Sequence, residues 1–455
     1  MTMRFADHLF KGRHGDRVVI TLCDWVTDEE SNMNTKGMLL AICTLITACG
    51  GGDDDGERTN PVITGVSMAS ITRVSIASDG TEGNASSFGS SISADGRYVA
   101  FISAASNLLD TTGTSGIFVR DRQTGTTEHV SGTRSLDWFS ISADGRYVAS
   151  SGIFVHDRQA GTAEKVNDSN CVCPLSINAD GRYVAFPVLN STLPGLNPFS
   201  SPGHNIALYD RLTGITESVS VALEGTESNE AAPESSISAD GRYVAFASWA
   251  SNLVPNDTKG ASDIFVRDRQ TGTTERVSPA SDGTEGNGGS LRPSMNADGR
   301  YVAFLSGASN LVPGDTNHHV DIFVHDRQTG ATGRISVASD GTESDGDSFL
   351  SSIQSSINAD GRYVVFDSQA SNLVPGDTNG RRDVFVHDRQ TGNTALISVG
   401  LDGAPSNDSS SSPAISADGR YVTFTAEADN LVAGDNNDAM DIFVARNPLF
   451  SSLSE

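Results

Sequence analysis

The residues best suited to chemistry in this sequence are acids at a fixed spacing. Asp257 and Asp263, Asp315 and Asp321, Asp377 and Asp383, and Asp435 and Asp441 each stand six residues apart, after an Asn-Leu-Val segment. In the last three pairs an asparagine falls between the acids (Asn317, Asn379, Asn437), giving Asp-x-Asn-x-x-x-Asp; the first has Lys259 there. A second acidic string, Asp-Gly-Thr-Glu-x-Asn, runs from Asp79 to Asn84 and from Asp282 to Asn287, with variants at Glu224 and Asp340. Oxygen donors at alternate positions of a Gly- and Asn-rich loop suit a hard cation such as Ca²⁺, the one cofactor the sequence suggests. The same residue types shape turns by bonding their own backbone. One loop offers fewer than the about six to eight oxygens that Ca²⁺ takes, so a neighbouring loop or water must complete the shell. Both readings stand on the sequence.

Other reactive residues point to less chemistry. His156, His325 and His387 share one repeat position with Arg120, Arg267 and Tyr209. A catalytic residue would not recur around a ring with such free substitution. No G-x-S-x-G, HExxH, P-loop or dinucleotide fingerprint occurs, so no catalytic residue is assigned. Cys171 and Cys173 read as two buried thiols, because a bridge across one residue fits disulfide geometry poorly.

A repeat must position the acids. Asp-Gly-Arg-Tyr starts seven times, at Asp95, Asp144, Asp180, Asp240, Asp298, Asp360 and Asp418, with spacings of 49, 36, 60, 58, 62 and 58. Each copy lies in a segment like 91–101, followed by one like 321–330 and one like 273–278. Asp-Gly between apolar runs signals a hairpin, with a type I′ turn and positive φ at both central residues expected. Ile-Phe-Val makes a third strand, Arg-Gln-Thr-Gly a second tight turn, and Thr-Glu-Arg-Val-Ser a fourth strand. Inner strands apolar on both faces suit a small sheet held between two like sheets. Four antiparallel strands per unit, over seven units, predict an all-β fold, a single seven-bladed β-propeller. The last unit has no fourth strand of its own, and the spare strand at 71–75 is expected to complete it and close the ring.

Tight turns then gather on one face and long, variable loops on the other, which becomes the candidate binding face. Blade two joins its second and third strands almost directly, and blade three has an acid-free loop there (194–204). The resulting notch is bordered by Trp138 and Phe139, which are expected to cap the core rather than hold a ligand.

The Ser-x-x-Asp-Gly-x-Tyr-x-Ala-Phe unit resembles the TolB-like, WD-like β-propeller repeat, and the resemblance covers all seven copies. It implies the fold and not an activity. TolB has a second domain that nothing here matches, so the likeness is to secreted or lipid-anchored proteins that are little more than such a propeller. The Asp loops resemble the start of an EF-hand loop but lack its sixth-position Gly and final Glu. Near the start, a lysine precedes an apolar run, Met38 to Ile46, too short to span a bilayer. Ile46-Thr47-Ala48-Cys49 resembles the lipobox of bacterial lipoproteins, which implies cleavage before Cys49 and lipidation of its sulfur.

The chain thus divides into 1–32, a mis-assigned start or disordered segment; 33–48, a lipoprotein signal peptide; and 49–70, the lipidated Cys49 and a flexible tether. The propeller follows over 71–447, then a tail over 448–455. With 31 Lys and Arg against 57 Asp and Glu, the net charge of −26 repels nucleic acid and anionic membrane surfaces. The reading is a monomeric, non-enzymatic binding module of the bacterial cell envelope (outer membrane, periplasm or cell surface). It touches membrane only through its lipid and takes a protein or glycan ligand on the long-loop face. The alternative is a propeller enzyme of glycan hydrolase or lyase type. That would need non-repeating acids, His or Arg around the axis, and none is evident in sequence.

Overall fold

The computed structural model describes residues 2–11, 17–26, 71–109, 115–132, 138–166, 174–189, 204–222, 225–351 and 355–450. Cys49 with the expected signal peptide and tether, Cys171 and Cys173 lie outside these residues. The chain splits into two compact units, Met1–Thr64 and Gly65–Glu455. In the first, Thr2–Lys11 pairs antiparallel with Arg17–Val26. The second is a seven-bladed β-propeller, and no helix occurs among the described residues.

Blades one to six are four-stranded antiparallel sheets in simple sequence order. Blade one runs Ser87–Ile92, Tyr98–Ser103, Gly116–Asp121 and Thr126–Gly132; blade five runs Ser290–Met295, Tyr301–Ser306, Asp321–Asp326 and Ala331–Arg334. First strands face the axis: residues 91–92, 140–141, 176–177, 235–237, 293, 295 and 355 line one central channel of about 140 Å³. Second and third strands are apolar on both faces, and Val99, Ala100, Phe101, Val244, Phe246 and Phe265 are fully buried. Within blades, paired phenylalanines stack at 5.7–5.9 Å between ring centres, as in Phe101–Phe118 and Phe304–Phe323. Blade two is the small one, with Tyr147–Ser150 and Phe154–Asp157 as its middle strands.

Blade seven consists of Ser410–Ile415, Tyr421–Ala426, Asp441–Arg446 and the early strand Thr72–Arg73, which pairs Thr72 with Val444 and Arg73 with Phe443. The ring therefore closes as its repeat count requires, and no edge is left unpaired there.

The Asp-Gly turns differ from the type I′ expectation. Only the glycine takes positive φ (72° at Gly96), and no Asp of an Asp-Gly pair does so. The turn runs from Ser93, whose carbonyl accepts the Gly96 N–H at 3.0 Å. Asp95 accepts the Ser93 hydroxyl at 2.7 Å and the Arg97 N–H at 2.9 Å, while the Ser93 hydroxyl oxygen accepts the Tyr98 N–H at 2.9 Å. Side chains thus satisfy N–H groups that a two-residue turn would have paired across the strands, and the turn opens by two residues.

The rest of the motif seals blade to blade. A Cβ on Gly241 would lie 2.3 Å from the ring of Tyr183 of the preceding blade, so only glycine fits beneath that tyrosine. Arg269, of the same blade as Gly241, also stacks on Tyr183, 4.3 Å from its ring centre. It also donates to the Gly241 carbonyl at 2.5 Å. Arg242, the arginine of Asp-Gly-Arg-Tyr, forks onto Asp268 at 3.0 and 2.6 Å. The same Tyr-on-Gly contact joins blade seven to blade one, through Tyr421 and Gly96.

Candidate functional site on the loop face

Long loops bring the predicted acids together, but with partners the spacing did not announce. Asp263, Asp321, Asp383 and Asp441 each open a third strand and are fully buried. Each accepts a hydroxyl from a serine two residues past the fourth strand: Ser278 at 2.5 Å, Ser336 at 2.5 Å, Ser398 at 2.6 Å, and Ser75. The asparagines turn their amide nitrogens, not their oxygens, to these carboxylates. Asn317 donates to Asp321 at 3.0 Å, Asn379 to Asp383 at 2.6 Å and Asn437 to Asp441 at 3.1 Å. Their oxygens accept backbone N–H groups two residues on, closing an Asx turn. Lys259, in the asparagine's place, donates to Asp263 at 2.6 Å.

In three blades an arginine of the fourth strand reaches into the acids. Arg276 lies 3.8 Å from Asp257, 3.5 Å from Asp263 and 2.8 Å from Glu285. Arg334 lies 3.3 Å from Asp315, 3.4 Å from Asp321 and 2.6 Å from Glu343. Arg73, on the closing strand, lies 3.1 Å from Asp435 and 3.0 Å from Asp441 and also pairs with Glu82. The glutamates come from the Asp-Gly-Thr-Glu strings of the following blade. Carboxylate oxygens of Asp257, Asp263 and Glu285, and of Glu82, Asp435 and Asp441, approach within 4.8 Å of one another, close enough to hold one metal ion. A guanidinium already sits among each set. Burial, reinforced by the charge of Asp263, pushes the Asp257 carboxyl up to about 6. Burial does the same to Asp435, to about 6, against the pull of Arg73.

Blade six is built otherwise. The arginine position, cross-strand from the third-strand phenylalanine (Phe265–Arg276, Phe323–Arg334), is Leu396 opposite Phe385. The glutamate position is Pro405. Asp377 and Asp383 have no ion pair among the described residues. Asp377 is 7% exposed, and its Oδ2 is buried with no hydrogen-bond partner.

At the loop-face end of the channel a second group gathers, and its members break the repeat. Glu234 begins the first strand of blade four and accepts the Arg292 N–H at 2.9 Å. Arg292 sits in a β-bulge with φ of 55° and donates through its side chain to the Leu350 carbonyl at 2.7 Å. Asp367 stands where other second strands carry Ile102, Ala247, Leu305 and Thr425; it is 3% exposed. It accepts the Ser412 N–H at 3.2 Å and faces Arg382 at 3.3 Å. The Arg382 guanidinium lies over the Phe349 ring at 4.2 Å. Burial pushes Asp367 up to about 6, and it pushes Glu234 up as well. Ser235 and Pro293, adjacent to Glu234 and Arg292, line the channel itself. Sequence reasoning missed this group. The available signal was the misfit of Asp367 at an otherwise uncharged repeat position.

Phe139 is fully buried in the core between blades one and two, as its capping role requires, and Trp138 beside it is half-buried.

No protein-family model matches the sequence, and a search of curated proteins finds no match. Solved structures do resemble the fold. The β-propeller domain of the Trilobed protease from Pyrococcus furiosus is 14% identical, with a TM-score of 0.50 over 81% of this chain and 98% of that one. An oligogalacturonate lyase from Vibrio parahaemolyticus is 11% identical, with a TM-score of 0.49 over 98% and 97% of the two chains. A TolB from Agrobacterium tumefaciens is 18% identical, with a TM-score of 0.40 over 72% and 96%. At these identities the likeness concerns the fold: this chain is a seven-bladed β-propeller whose structural neighbours include TolB proteins. The P. furiosus domain is described as having an open velcro topology, whereas here Thr72–Arg73 closes the ring.

Proposed function

We propose that the chain is a binding module of the bacterial envelope, held there by lipid on Cys49, that takes a protein or glycan ligand at the channel mouth of its loop face. One observation carries this reading. Glu234, Arg292, Asp367 and Arg382, which depart from the repeat at different positions in three blades, form one contiguous polar group beside the channel. Residues that obey the repeat serve the frame; residues that break it together serve something else. The arginine-bearing acid loops of blades four, five and seven belong to the frame, each supplying its own cation. A bound Ca²⁺ on this face is expected only in blade six.

Glycan and peptide arrays probed with the whole protein test the reading. Ligands that bind the parent should bind Glu234→Gln or Arg382→Ala at least tenfold more weakly, and hits indifferent to both changes would sink it. Fractionation of cells carrying the parent and Cys49→Ser checks the anchor: the parent should partition with membranes and the variant should not.

A second reading is favoured by the two carboxyl groups, Glu234 and Asp367, whose affinity for a proton burial raises beside two arginines. Such a set can pass protons to and from a glycosidic bond. Product formation from array-positive oligosaccharides, followed by mass spectrometry, separates catalysis from binding.

A further inference from the structure

The acid loops differ in what neutralises them, and the difference follows a rule that one blade breaks. Where the third strand opens with Asp263, Asp321 or Asp441, the fourth strand offers Arg276, Arg334 or Arg73. Where that acid is absent, the arginine is absent too, although blade two, with Gly152, carries Lys165 cross-strand from Phe154. Blade one has Gly116 and, cross-strand from Phe118, His129; blade three has Asn205 and, cross-strand from Ala207, Ser218. Blade six alone keeps both acids, Asp377 and Asp383, while Leu396 fills the arginine position and Pro405 the glutamate position.

What remains in blade six is half of a site. Asp383 is fully buried; its Oδ1 accepts Ser398 and Ser406 hydroxyls at 2.6 and 2.9 Å, and its Oδ2 accepts Asn379 at 2.6 Å. Asp377 lies close enough to feel its charge, and the Oδ2 of Asp377 meets no donor. Asp345 adds a third negative charge nearby, held by the Ser371 N–H and hydroxyl at 2.7 and 2.8 Å. A buried, unpaired carboxylate is costly, and proteins supply a partner or coordinate a metal. A leucine in the arginine position adds neither charge nor donor. It is packed against the core with Phe385 and does not reach the acids as an arginine would.

We propose that blade six binds one hard divalent cation, Ca²⁺, against Asp377 and Asp383, in the place that arginine fills in blades four, five and seven. The donors are oxygens only, which suits Ca²⁺ and not a thiolate- or imidazole-seeking metal. Water completes the shell, since two carboxylates fall short of the about six to eight ligands required. Mg²⁺, which demands a tight octahedron, fits this irregular pair less well. The inference does not depend on the ligand at the channel mouth, and its failure would leave that reading intact.

Calorimetric titration of the chelator-stripped whole protein with CaCl₂ tests it, with MgCl₂ and with NaCl at matched ionic strength as controls. One Ca²⁺ per chain is expected, with Kd on the order of 10⁻⁴–10⁻³ M as in other extracellular sites, and a rise in Tm that Na⁺ does not reproduce. Asp377→Asn should weaken binding at least tenfold. The double change Leu396→Arg with Pro405→Glu, which rebuilds the neighbouring blades' arrangement, should fold, melt no lower than the metal-free parent, and no longer bind Ca²⁺. Absence of a Ca²⁺-specific heat, binding that survives Asp377→Asn or the double change, or a stoichiometry near four would each overturn the assignment.

Discussion

At the scale of single residues, the loop face shows how this protein handles buried charge. Asp367 is the clearest case, since it sits inside a strand position that its sister blades fill with uncharged side chains. Its carboxyl is raised to about 6 by burial, against the pull of Arg382, the Ser412 N–H and Arg292. A raised folded-state value means that the native protein holds a proton that the unfolded chain has released. Between about pH 4 and 6 this group therefore makes stability fall as pH rises, by up to on the order of 3 kcal/mol in all. His387, whose value burial lowers to about 4, titrates in the same window with the opposite sign, because there the unfolded chain binds the proton. The comparison must accordingly be between proteins. Asp367→Asn should lose less Tm than the parent on going from pH 4 to pH 7, and parallel Tm profiles would show that the Asp367 carboxyl is not raised.

At the scale of elements, the turn glycines divide into two kinds. Gly241 and Gly330 both have φ near 75°, so an alanine at either costs about 1–2 kcal/mol in backbone conformation alone. Around Gly330 nothing lies within 4 Å of an added Cβ, whereas at Gly241 the Tyr183 ring is 2.3 Å away. Gly241→Ala should therefore cost about 1–3 kcal/mol more than Gly330→Ala, the overpacking penalty, in denaturant unfolding. Equal losses would mean that the Tyr-on-Gly contact does not hold the blades together. This is also the scale at which the sequence was most legible. Asp-Gly-Arg-Tyr recurs seven times, each time followed by Ile-Phe-Val or a close variant, so strands, turns and blade count follow from local chemistry repeated seven times. The turn type was misjudged because the Ser93 and Asp95 side chains, not the backbone ladder, take the N–H groups. The arginine partners of the acids were hidden by distance. Arg276 lies on the fourth strand and Glu285 on the connection to the next blade, so no contiguous motif holds a whole cluster. The channel-mouth group was hidden for a different reason: each member breaks the repeat at a different position.

At the scale of the whole molecule, the ring is closed by a strand of two ladder residues, Thr72 and Arg73, and by what Arg73 touches. Removing residues 1–76 takes away Arg73 and Ser75 together. The strand Asp441–Arg446 then has a bare edge, and Asp435 and Asp441 lose their cation. Loss of one partner from a buried ion cluster costs about 3–5 kcal/mol, and an exposed edge invites association. The shortened chain should melt well below the parent and elute as larger species in size-exclusion chromatography; a truncated protein that melts with the parent as a monomer would show that the closing strand contributes nothing. The closure also has a mechanical side. Any tension on the chain before residue 71 arrives first at Thr72 and Arg73, because they are the point where that segment enters the ring. Ladder bonds as few as these are a weak latch, so the grip falls to a rivet: one guanidinium fastened to Glu82 of blade one's approach and to Asp435 and Asp441 of blade seven. A load along the chain before residue 71 would spring the seventh blade first and leave six blades folded, making Arg73 the residue that sets the force at which the ring opens.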